Sequence, residues 1–317
     1  MISVVIPVYN AADFLPKCVV SVFAQPAVAE VVLVDDCSQD QSVEVCQNLQ
    51  QQYREYHNKS VVFLQNEQNS GVSVSRNKGI KVASQIYIAF VDADDFYFPN
   101  RFEKSLQKLA QNPTIDGVYA PVIPVFETEN AAITWQNDKR PAIIDTKNKH
   151  IPPEQLFENM GPVGKNGWFH GNGLLIKKSA FQKCDYFNPN LDWGEDSLLF
   201  LQMALSCKLV HSGEEQAVAA WVQHPQASLT KRSVKVFWQQ RQRLYQILYF
   251  WAAEKKVATA RLQLIAEKYR HAAYKKAQVS TNSAIKRQQI FSEAMQNLSA
   301  AKTWKNYFYT VKLMLKK

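Results

Sequence analysis

No apolar run in this 317-residue chain approaches the roughly 18 residues that a membrane span requires. The longest, over 86–91 and 246–253, are far shorter. Nor does the chain open on a basic segment followed by an apolar core and a small-residue cleavage site. Met1 runs directly into Ile2-Ser3-Val4-Val5-Ile6, so no secretory signal is expected. Cysteine is scarce, and its five copies (Cys18, Cys37, Cys46, Cys184, Cys207) include no CxxC pair and no even framework. They read as reduced thiols of a cytoplasmic protein. Internal repeats and low-complexity tracts are absent. No GxGxxG and no lysine-bearing glycine loop follows the first apolar run, which excludes the common dinucleotide and P-loop signatures. No Ser-His-Asp or Cys-His pattern points to a covalent nucleophile.

What remains is the composition of an ordinary globular protein, 46% hydrophobic and 21% charged, with enough apolar residues for a normal core. The length suits two domains, or one large domain with an extension. The net charge of +9 is unevenly spread. Residues 231–317 hold 19 Lys and Arg against three acids, whereas the first 230 residues hold 18 bases and 25 acids. An acidic body followed by a basic tail implies two kinds of partner surface.

The first hundred residues alternate apolar, β-branched runs with helical spacing. Strands are expected over 3–9, 30–35, 60–65 and 86–91. Helices are expected over 11–24, from a cap at Ser38 or Asp40 to about 56, and over 71–83. Continuous apolar strands between helices predict a mostly parallel sheet covered on both faces. Such sheets bind ligands beyond the carboxyl ends of their strands. Tyr9-Asn10, Asp35-Asp36 and Asp92-Ala93-Asp94-Asp95 each follow a strand, so all three clusters are expected on one edge. Further on come a strand over 117–126, a polar stretch over 136–150, and a loop holding Gly161, Gly164, Gly167, Gly171 and Gly173. That loop suits close backbone approach or a lid. A short strand over 174–176 and a helix over 197–205 follow. Beyond 233 the pattern is helical, over 236–253, 257–277, 283–298 and 304–315.

The sharpest chemical signal is Asp92-Ala93-Asp94-Asp95. Carboxylates two apart at a strand end can hold a divalent cation whose shell is completed by water and diphosphate oxygens. An acidic loop capping the next helix is the other reading. Val34-Asp35-Asp36 is weaker: an acid there can accept from a base N–H or a ribose hydroxyl, or can form an Asx turn. Ser70-Gly71 opens a helix whose N-terminal amides can take an anion, and Arg76 on that helix can reach a diphosphate or form an ordinary salt bridge.

Taken together, Val4-Val5-Ile6-Pro7-Val8-Tyr9-Asn10, then Val34-Asp35-Asp36, then Asn69, Gly71 and Arg76-Asn77, then Val91-Asp92-Ala93-Asp94-Asp95, resemble the GT-A-fold inverting glycosyltransferases of family 2. Order and spacing match over about 1–100, and Glu195-Asp196 with His224 extend the likeness to about 230. The resemblance implies a mixed, mostly parallel α/β sheet with helices on both faces, plus a C-terminal all-helical extension. It implies a catalytic domain over 1–232, made of a nucleotide-binding half (1–100) and an acceptor half (101–232), and a basic helical region over 233–317. Pro7, Tyr9, Asn10, Asp35, Asp36, Asn69, Arg76, Asp92, Ala93 and Asp94 would bind a nucleotide sugar, with Tyr9 against the base, normally uracil. Asp94 would be the principal ligand of Mg²⁺ or Mn²⁺, with Asp92 beside it and His224 on the metal or the diphosphate. Asp95 would be a supporting residue. In Glu195-Asp196, Asp196 would be the catalytic base; both acids also suit the N-terminus of the helix that follows. Trp168, His170, Asn172 and Trp193 flank the acceptor side, where they either face a sugar ring or pack.

The implied reaction moves a hexose or N-acetylhexosamine from a UDP-sugar to a hydroxyl of a glycan or lipid-linked glycan. The competing reading is a silent relative that only binds the nucleotide sugar or tethers partners; such a relative should lack the metal carboxylate or the base, and Asp94 and Asp196 are both present. The aromatic-rich basic tail would pack helices together, dimerise, or meet an anionic membrane from the cytoplasmic side, where each basic residue is worth about 1 kcal/mol. No nucleic-acid module is present, so no nucleic acid is expected.

Overall fold

A computed structural model describes residues 1–55, 59–129, 132–133, 151–161, 163–164, 167–223 and 233–296. They fall in two compact units: Met1–Pro189 with Ser206–Ala227, and Asn190–Leu205 with Ser228–Lys317.

The first unit is built on a seven-stranded sheet. In chain order its elements begin β1 (Ile2–Val8), α1 (Leu15–Phe23), β2 (Val28–Asp35), α2 (Ser42–Gln52), β3 (Ser60–Gln65), α3 (Val72–Val82) and β4 (Tyr87–Phe90). There follow β5 (Phe96–Tyr97), α4 (Glu103–Gln111), β6 (Gly117–Tyr119), β7 (Val122–Phe126), β8 (Leu174–Lys177), β9 (Leu209–His211) and β10 (Ala219–Gln223). The strand order is β3-β2-β1-β4-β8-β6-β9, with β8 antiparallel to both neighbours and the remaining pairs parallel. The fold is the one expected.

β1 is central, with β2 on one side and β4 on the other. That position explains its largely apolar sequence: Val4 and Ile6 lie opposite Val31 and Leu33, every residue but the half-buried Pro7 is buried, and the polar Ser3 donates its hydroxyl to Glu30 Oε2. Pro16 in the first turn starts α1 without costing a hydrogen bond, and its buried face (Leu15, Cys18, Val19, Val22, Phe23) joins the main core. α3 lies so close to the sheet that a Cβ on Gly79 would stand 2.4 Å from Val5 Cγ1, so glycine is required there.

The single strand expected over 117–126 is two. β6 lies in the large sheet, and β7 in a three-stranded sheet of order β5-β10-β7. Pro121 stands between them. It offers no N–H to a ladder, and the chain changes sheets at that point. β5, α4, β9 and β10 are too short or too polar in pattern to have been expected.

The second unit is helical: α5 (Glu195–Ser206, whose last residue lies in the first unit), α6 (Val234–Glu254), α7 (Thr259–Ser280) and α8 (Ala284–Gln296). The Ser233 hydroxyl caps α6 by accepting from Val236 N–H at 3.4 Å. Leu244, Leu248, Trp251 and Ala252 are buried on α6, and Ile265, Tyr269, Ala273 and Ala277 on α7. The Tyr269 hydroxyl accepts from Gln242 Nε2 at 3.0 Å and donates to the Ala294 carbonyl at 2.7 Å, which ties α6, α7 and α8 together. The helix expected over 304–315 lies outside the described residues.

Candidate active site

The strand order reverses between β1 and β4, and polar residues collect at the carboxyl ends there, where an open α/β sheet presents its crevice. Pro7 is in β1 opposite Val34, and Tyr9 follows with half its surface exposed. Asn10 adopts a left-handed backbone (φ 50°), which asparagine tolerates better than most residues. Its side-chain oxygen accepts from Gln39 N–H at 2.7 Å, and its own N–H donates to Ser38 Oγ at 3.0 Å. Ala11 and Ala12 N–H donate to Ser42 Oγ (2.9 Å) and Asp40 Oδ2 (3.1 Å). The loop after β1 is thus zipped to the loop after β2. Ser38 is spent on this zipper and does not cap α2. Asp40 accepts from the first helical N–H, that of Ser42, at 3.0 Å. Burial works against the Asp40 charge, but the bonds from Ser42 and Ala12 outweigh it and hold the carboxyl below its usual range.

Asp35 and Asp36 do different work. Asp36 Oδ1 accepts from Asn66 Nδ2 (2.8 Å) and Ser70 N–H (2.9 Å), and Oδ2 from Gly71 N–H (2.8 Å). Its carboxylate therefore fixes the loop over 66–71 and the entry to α3, where Gly71 takes φ +87°. Asn69 lies exposed on that loop. Asp35 is fully buried; its Oδ2 accepts from Ser38 N–H at 3.1 Å, and its Oδ1 is buried without a hydrogen-bond partner among the described residues. A buried carboxylate oxygen with nothing to accept is costly, and it marks a place where a ligand N–H or O–H would be received.

The acidic loop after β4 is the other half. Asp92 Oδ1 meets Arg76 Nη2 at 2.7 Å, with the Arg76 guanidinium 5.1 Å above the Phe187 ring. Burial alone would raise the Asp92 carboxyl; Arg76 first and His170 second reverse this and hold it below its usual range. Ala93 is buried and Asp94 half-buried. Asp95 is buried at 2% exposure, accepting from Asn172 Nδ2 at 2.6 Å and Val222 N–H at 2.7 Å. Burial, then the charges of Asp92 and Asp94, push its carboxyl well above the ordinary range. Asp95 therefore stitches the loop to β10, while Asp92 and Asp94 stay open to the edge.

Among the described residues no group of three or more His, Cys, Asp or Glu is arranged to hold a metal. The pair Asp92 and Asp94 nonetheless suits Mg²⁺ or Mn²⁺ chemically, since hard cations take oxygen donors and Mg²⁺ is commonly held by one or two carboxylates plus substrate phosphates. His224, the expected third ligand, lies outside the described residues.

Of the residues expected on the acceptor side, His170 stands by the acidic loop: its charge bears on Asp92, and its ring lies 5.3 Å from that of Trp221. Asn172 does not face an acceptor. It is 1% exposed and its amide hydrogens go to Asp95 and to the Ala220 carbonyl (3.2 Å), so its role is support. Trp168 is also mostly buried, stacked on Phe169 at 6.2 Å. Beneath them lies a residue with no sequence signal. Arg101, fully buried against Phe102 (4.7 Å) and Tyr97 (5.5 Å), donates Nε–H to the Asn172 carbonyl at 3.1 Å. Burial pulls its pKa down to about 10.

Glu195, Asp196 and Trp193 belong to the second unit. Glu195 and Asp196 are half-buried in the first turn of α5, after Gly194 at φ +80°, a backbone that favours glycine. Ser197 N–H donates to Asp196 Oδ1 at 2.5 Å, and Trp193 packs on Phe237 with centroids 5.0 Å apart.

Sequence reasoning missed Asn66 and gave Asn77 no role. Asn77 Nδ2 donates to the Phe187 carbonyl at 2.7 Å while its Oδ1 accepts from Phe187 N–H at 3.0 Å, a paired clamp from α3 onto the segment that leads to residue 190. Asn66 carried the same signal as Asp35-Asp36, a polar residue directly after an apolar strand.

Residues 3–163 match the family described as Glycosyl transferase family 2. A glycosyltransferase of Escherichia coli, YibD, whose function is uncharacterised, is 39% identical over 116 residues, 36% of this chain and 32% of that protein. A putative teichuronic acid biosynthesis glycosyltransferase of Bacillus subtilis, TuaG, is 38% identical over 108 residues, 34% of this chain and 41% of that protein. The chain thus spans well under two thirds of the length of these curated relatives. Among solved structures, Staphylococcus aureus TarS 1–349 in complex with UDP-GlcNAc superposes with a TM-score of 0.68 over 99% of this chain and 89% of that one, at 16% identity.

Proposed function

The chain belongs to glycosyl transferase family 2, and from that membership we propose a metal-dependent, inverting glycosyltransferase that moves a hexose or N-acetylhexosamine from a UDP-sugar to a hydroxyl of a glycan or lipid-linked glycan. The observation that carries the donor half is the convergence of Asp35, Arg76, Asp92 and Asp94 at one sheet edge, with Asp35 Oδ1 buried and waiting for a donor. A structural neighbour that binds UDP-GlcNAc supports a uridine donor, and the B. subtilis relative supports a surface glycan as product.

In this reading Tyr9 covers the uracil ring and Asp35 accepts from the base or ribose. Asp36 holds the loop and helix entry beside them. Asp94 and Asp92, with His224, would hold Mg²⁺ or Mn²⁺. When bound, that cation supplies positive charge against the diphosphate. Asp196 takes the proton from the acceptor hydroxyl as its oxygen bonds to the anomeric carbon. The bond from that carbon to the diphosphate oxygen breaks on the opposite face, and the diphosphate leaves with the electron pair. One displacement inverts the anomeric centre. Trp193 and His170 offer ring faces to the acceptor. Glu195 supports Asp196.

Among the described residues no helix is long and apolar enough to cross a membrane. The 19 Lys and Arg over 231–317 suit a peripheral contact with an anionic membrane surface, where a lipid-linked acceptor would be found; a homodimer through the same helices is the other use of that region.

A thermal-shift comparison of UDP, UDP-GlcNAc, UDP-glucose and UDP-galactose, each with Mn²⁺ and with EDTA, tests the donor half. One UDP-sugar should raise the midpoint with Mn²⁺ and much less with EDTA. No shift under any condition would overturn the UDP assignment. A second test uses Cys37, which follows Asp36 at φ 63° and is the one cysteine of the five that is not buried. A small maleimide should modify Cys37 first in the native protein, and saturating UDP should slow that reaction. Unaltered labelling with bound UDP would place the base elsewhere.

A further inference from the structure

Helix α3 meets the sheet with one face and a later segment of the chain with another. Gly79 packs against Val5 of β1. The other face grips the segment over 186–188. Ser73, Asn77 and Lys81 recur at four-residue spacing and so share that face. Ser73 Oγ donates to the Asn188 carbonyl at 3.4 Å, and Lys81 Nζ lies 5.9 Å over the Tyr186 ring. Between them Asn77 takes both backbone groups of Phe187, donating Nδ2 to its carbonyl (2.7 Å) and accepting its N–H at Oδ1 (3.0 Å). All these residues lie in the first unit.

The Asn77 clamp fixes the backbone of Phe187, and packing fixes its ring. Phe187 is 3% exposed, and its ring stands edge-on to Phe90 with centroids 5.6 Å apart. The Arg76 guanidinium lies 5.1 Å over that ring and gives Nη2 to Asp92 Oδ1 at 2.7 Å. A hydrogen bond to one carboxylate oxygen holds a point of the fork, whereas a ring face holds its plane. A leucine in place of Phe187 would fill much of the space beneath Arg76 and present no plane. Arginine carries five N–H donors in a rigid planar fork, so a fork whose plane is set can serve Asp92 and a second oxygen acceptor together. Ordering a long side chain at the moment of binding costs affinity, and ordering it beforehand removes that cost.

We propose that Phe187, clamped by Asn77, is a positioning residue for the donor site: it holds the Arg76 guanidinium in the plane from which that side chain serves an oxygen acceptor of the bound nucleotide. The proposal rests on Arg76 being a nucleotide contact. A base carbonyl and a diphosphate oxygen offer the same acceptor chemistry, and uridine and UDP tell them apart.

Binding of UDP and of uridine to the full chain, measured by calorimetry in Mn²⁺, tests this. Phe187→Leu should weaken UDP about fivefold, the worth of one partly desolvated cation–π contact. A matching loss for uridine puts the acceptor on the base, and a loss for UDP alone puts it on the diphosphate. Phe181→Leu is the control. That ring is as deeply buried and also stands edge-on to Phe90, at 6.4 Å, but it stacks on Tyr186 with centroids 5.6 Å apart. Its loss should lower the melting temperature and leave UDP affinity native. In the Arg76→Gln background, Phe187→Leu should cost UDP nothing further. Native UDP affinity in Phe187→Leu, an equal loss in Phe181→Leu, or an undiminished loss in the Arg76→Gln background overturns the proposal. Asn77→Ala keeps the ring and removes its clamp, so it serves where Phe187→Leu does not fold: UDP should weaken in the same direction, and native affinity would overturn the proposal as well. Arg76→Gln by itself tests the contact. Native UDP affinity there removes Arg76 from the nucleotide site; a weakened Arg76→Gln beside a native Phe187→Leu removes only the positioning role.

Discussion

Asp196→Asn should reduce sugar transfer and donor hydrolysis by roughly 10²–10⁴-fold, the share that a positioned general base contributes, while UDP and Mn²⁺ binding stay close to native. The two effects separate because the proposed nucleotide contacts (Tyr9, Asp35, Arg76, Asp92, Asp94) all lie in the first unit, whereas Asp196 opens α5 in the second. Asparagine keeps the shape of aspartate and its Oδ1 can still accept from Ser197 N–H, as Asp196 Oδ1 does at 2.5 Å. What it loses is the ability to take a proton at neutral pH. Glu195→Gln is the informative companion. Glu195 is the first residue of α5, where a negative charge is favoured by the helix dipole, so its loss should cost stability more than rate. Transfer at the unmutated rate by Asp196→Asn would show that another group takes the proton. A dead Glu195→Gln beside an active Asp196→Asn would name it.

Much of the fold could be read from the sequence, and the reason is burial. β1, β2 and β4 are covered on both faces and paired on both edges, so their sequences run mostly apolar without alternation, and α1 between β1 and β2 shows one apolar face. Where burial is incomplete the signal fades. β5 has two residues, β9 three, and β10 alternates too briefly to stand out, although β10 supplies the Val222 N–H that holds Asp95. Pro121 was visible all along, but only pairing partners decide whether a proline bends a strand or hands it to a second sheet. The membership of residues 190–205 in the helical unit rests on contacts with α6 that no local pattern announces.

The site follows the same division. Residues at strand ends were found, because the end of an apolar run is a local event and chemistry-bearing side chains follow it directly. What each carboxylate does there was not legible. Asp35 and Asp36 are neighbours of identical type, yet one is spent on Asn66, Ser70 and Gly71 and the other keeps an oxygen without a partner. Asp92 and Asp95 differ as sharply, one drawn down by Arg76 and the other pushed up by burial and by its acidic neighbours. Most of these roles are set by partners 16 to 127 residues away in sequence, as Arg76–Asp92, Asp36–Asn66 and Asp95–Val222 show. Arg101 was missed for the same reason. A buried arginine in a turn looks like any surface arginine until its surroundings are known.

Asp94→Asn should remove the metal-dependent part of nucleotide binding, so that UDP with Mn²⁺ raises the melting temperature no more than UDP with EDTA. Within the acidic loop Asp94 is half-buried, whereas Asp95 is buried against Asn172 and Val222. Losing a cation's several kcal/mol of charge stabilisation should also slow transfer by roughly two to three orders of magnitude. The two acids beside it make the test specific. Asp95→Asn would set an amide against the Val222 N–H, and should lower the melting temperature of the protein without nucleotide. Asp94→Asn should lower that temperature less, because Asp94 is half-buried where Asp95 is buried, and its charge bears unfavourably on Asp95. If Asp94→Asn instead kept the full Mn²⁺-dependent shift, the cation would have to be held by Asp92 and the diphosphate without it, and excess Mn²⁺ would not rescue any loss of rate. A loss of rate that rising Mn²⁺ does rescue would mean that Asp94 sets the affinity of the site for the metal.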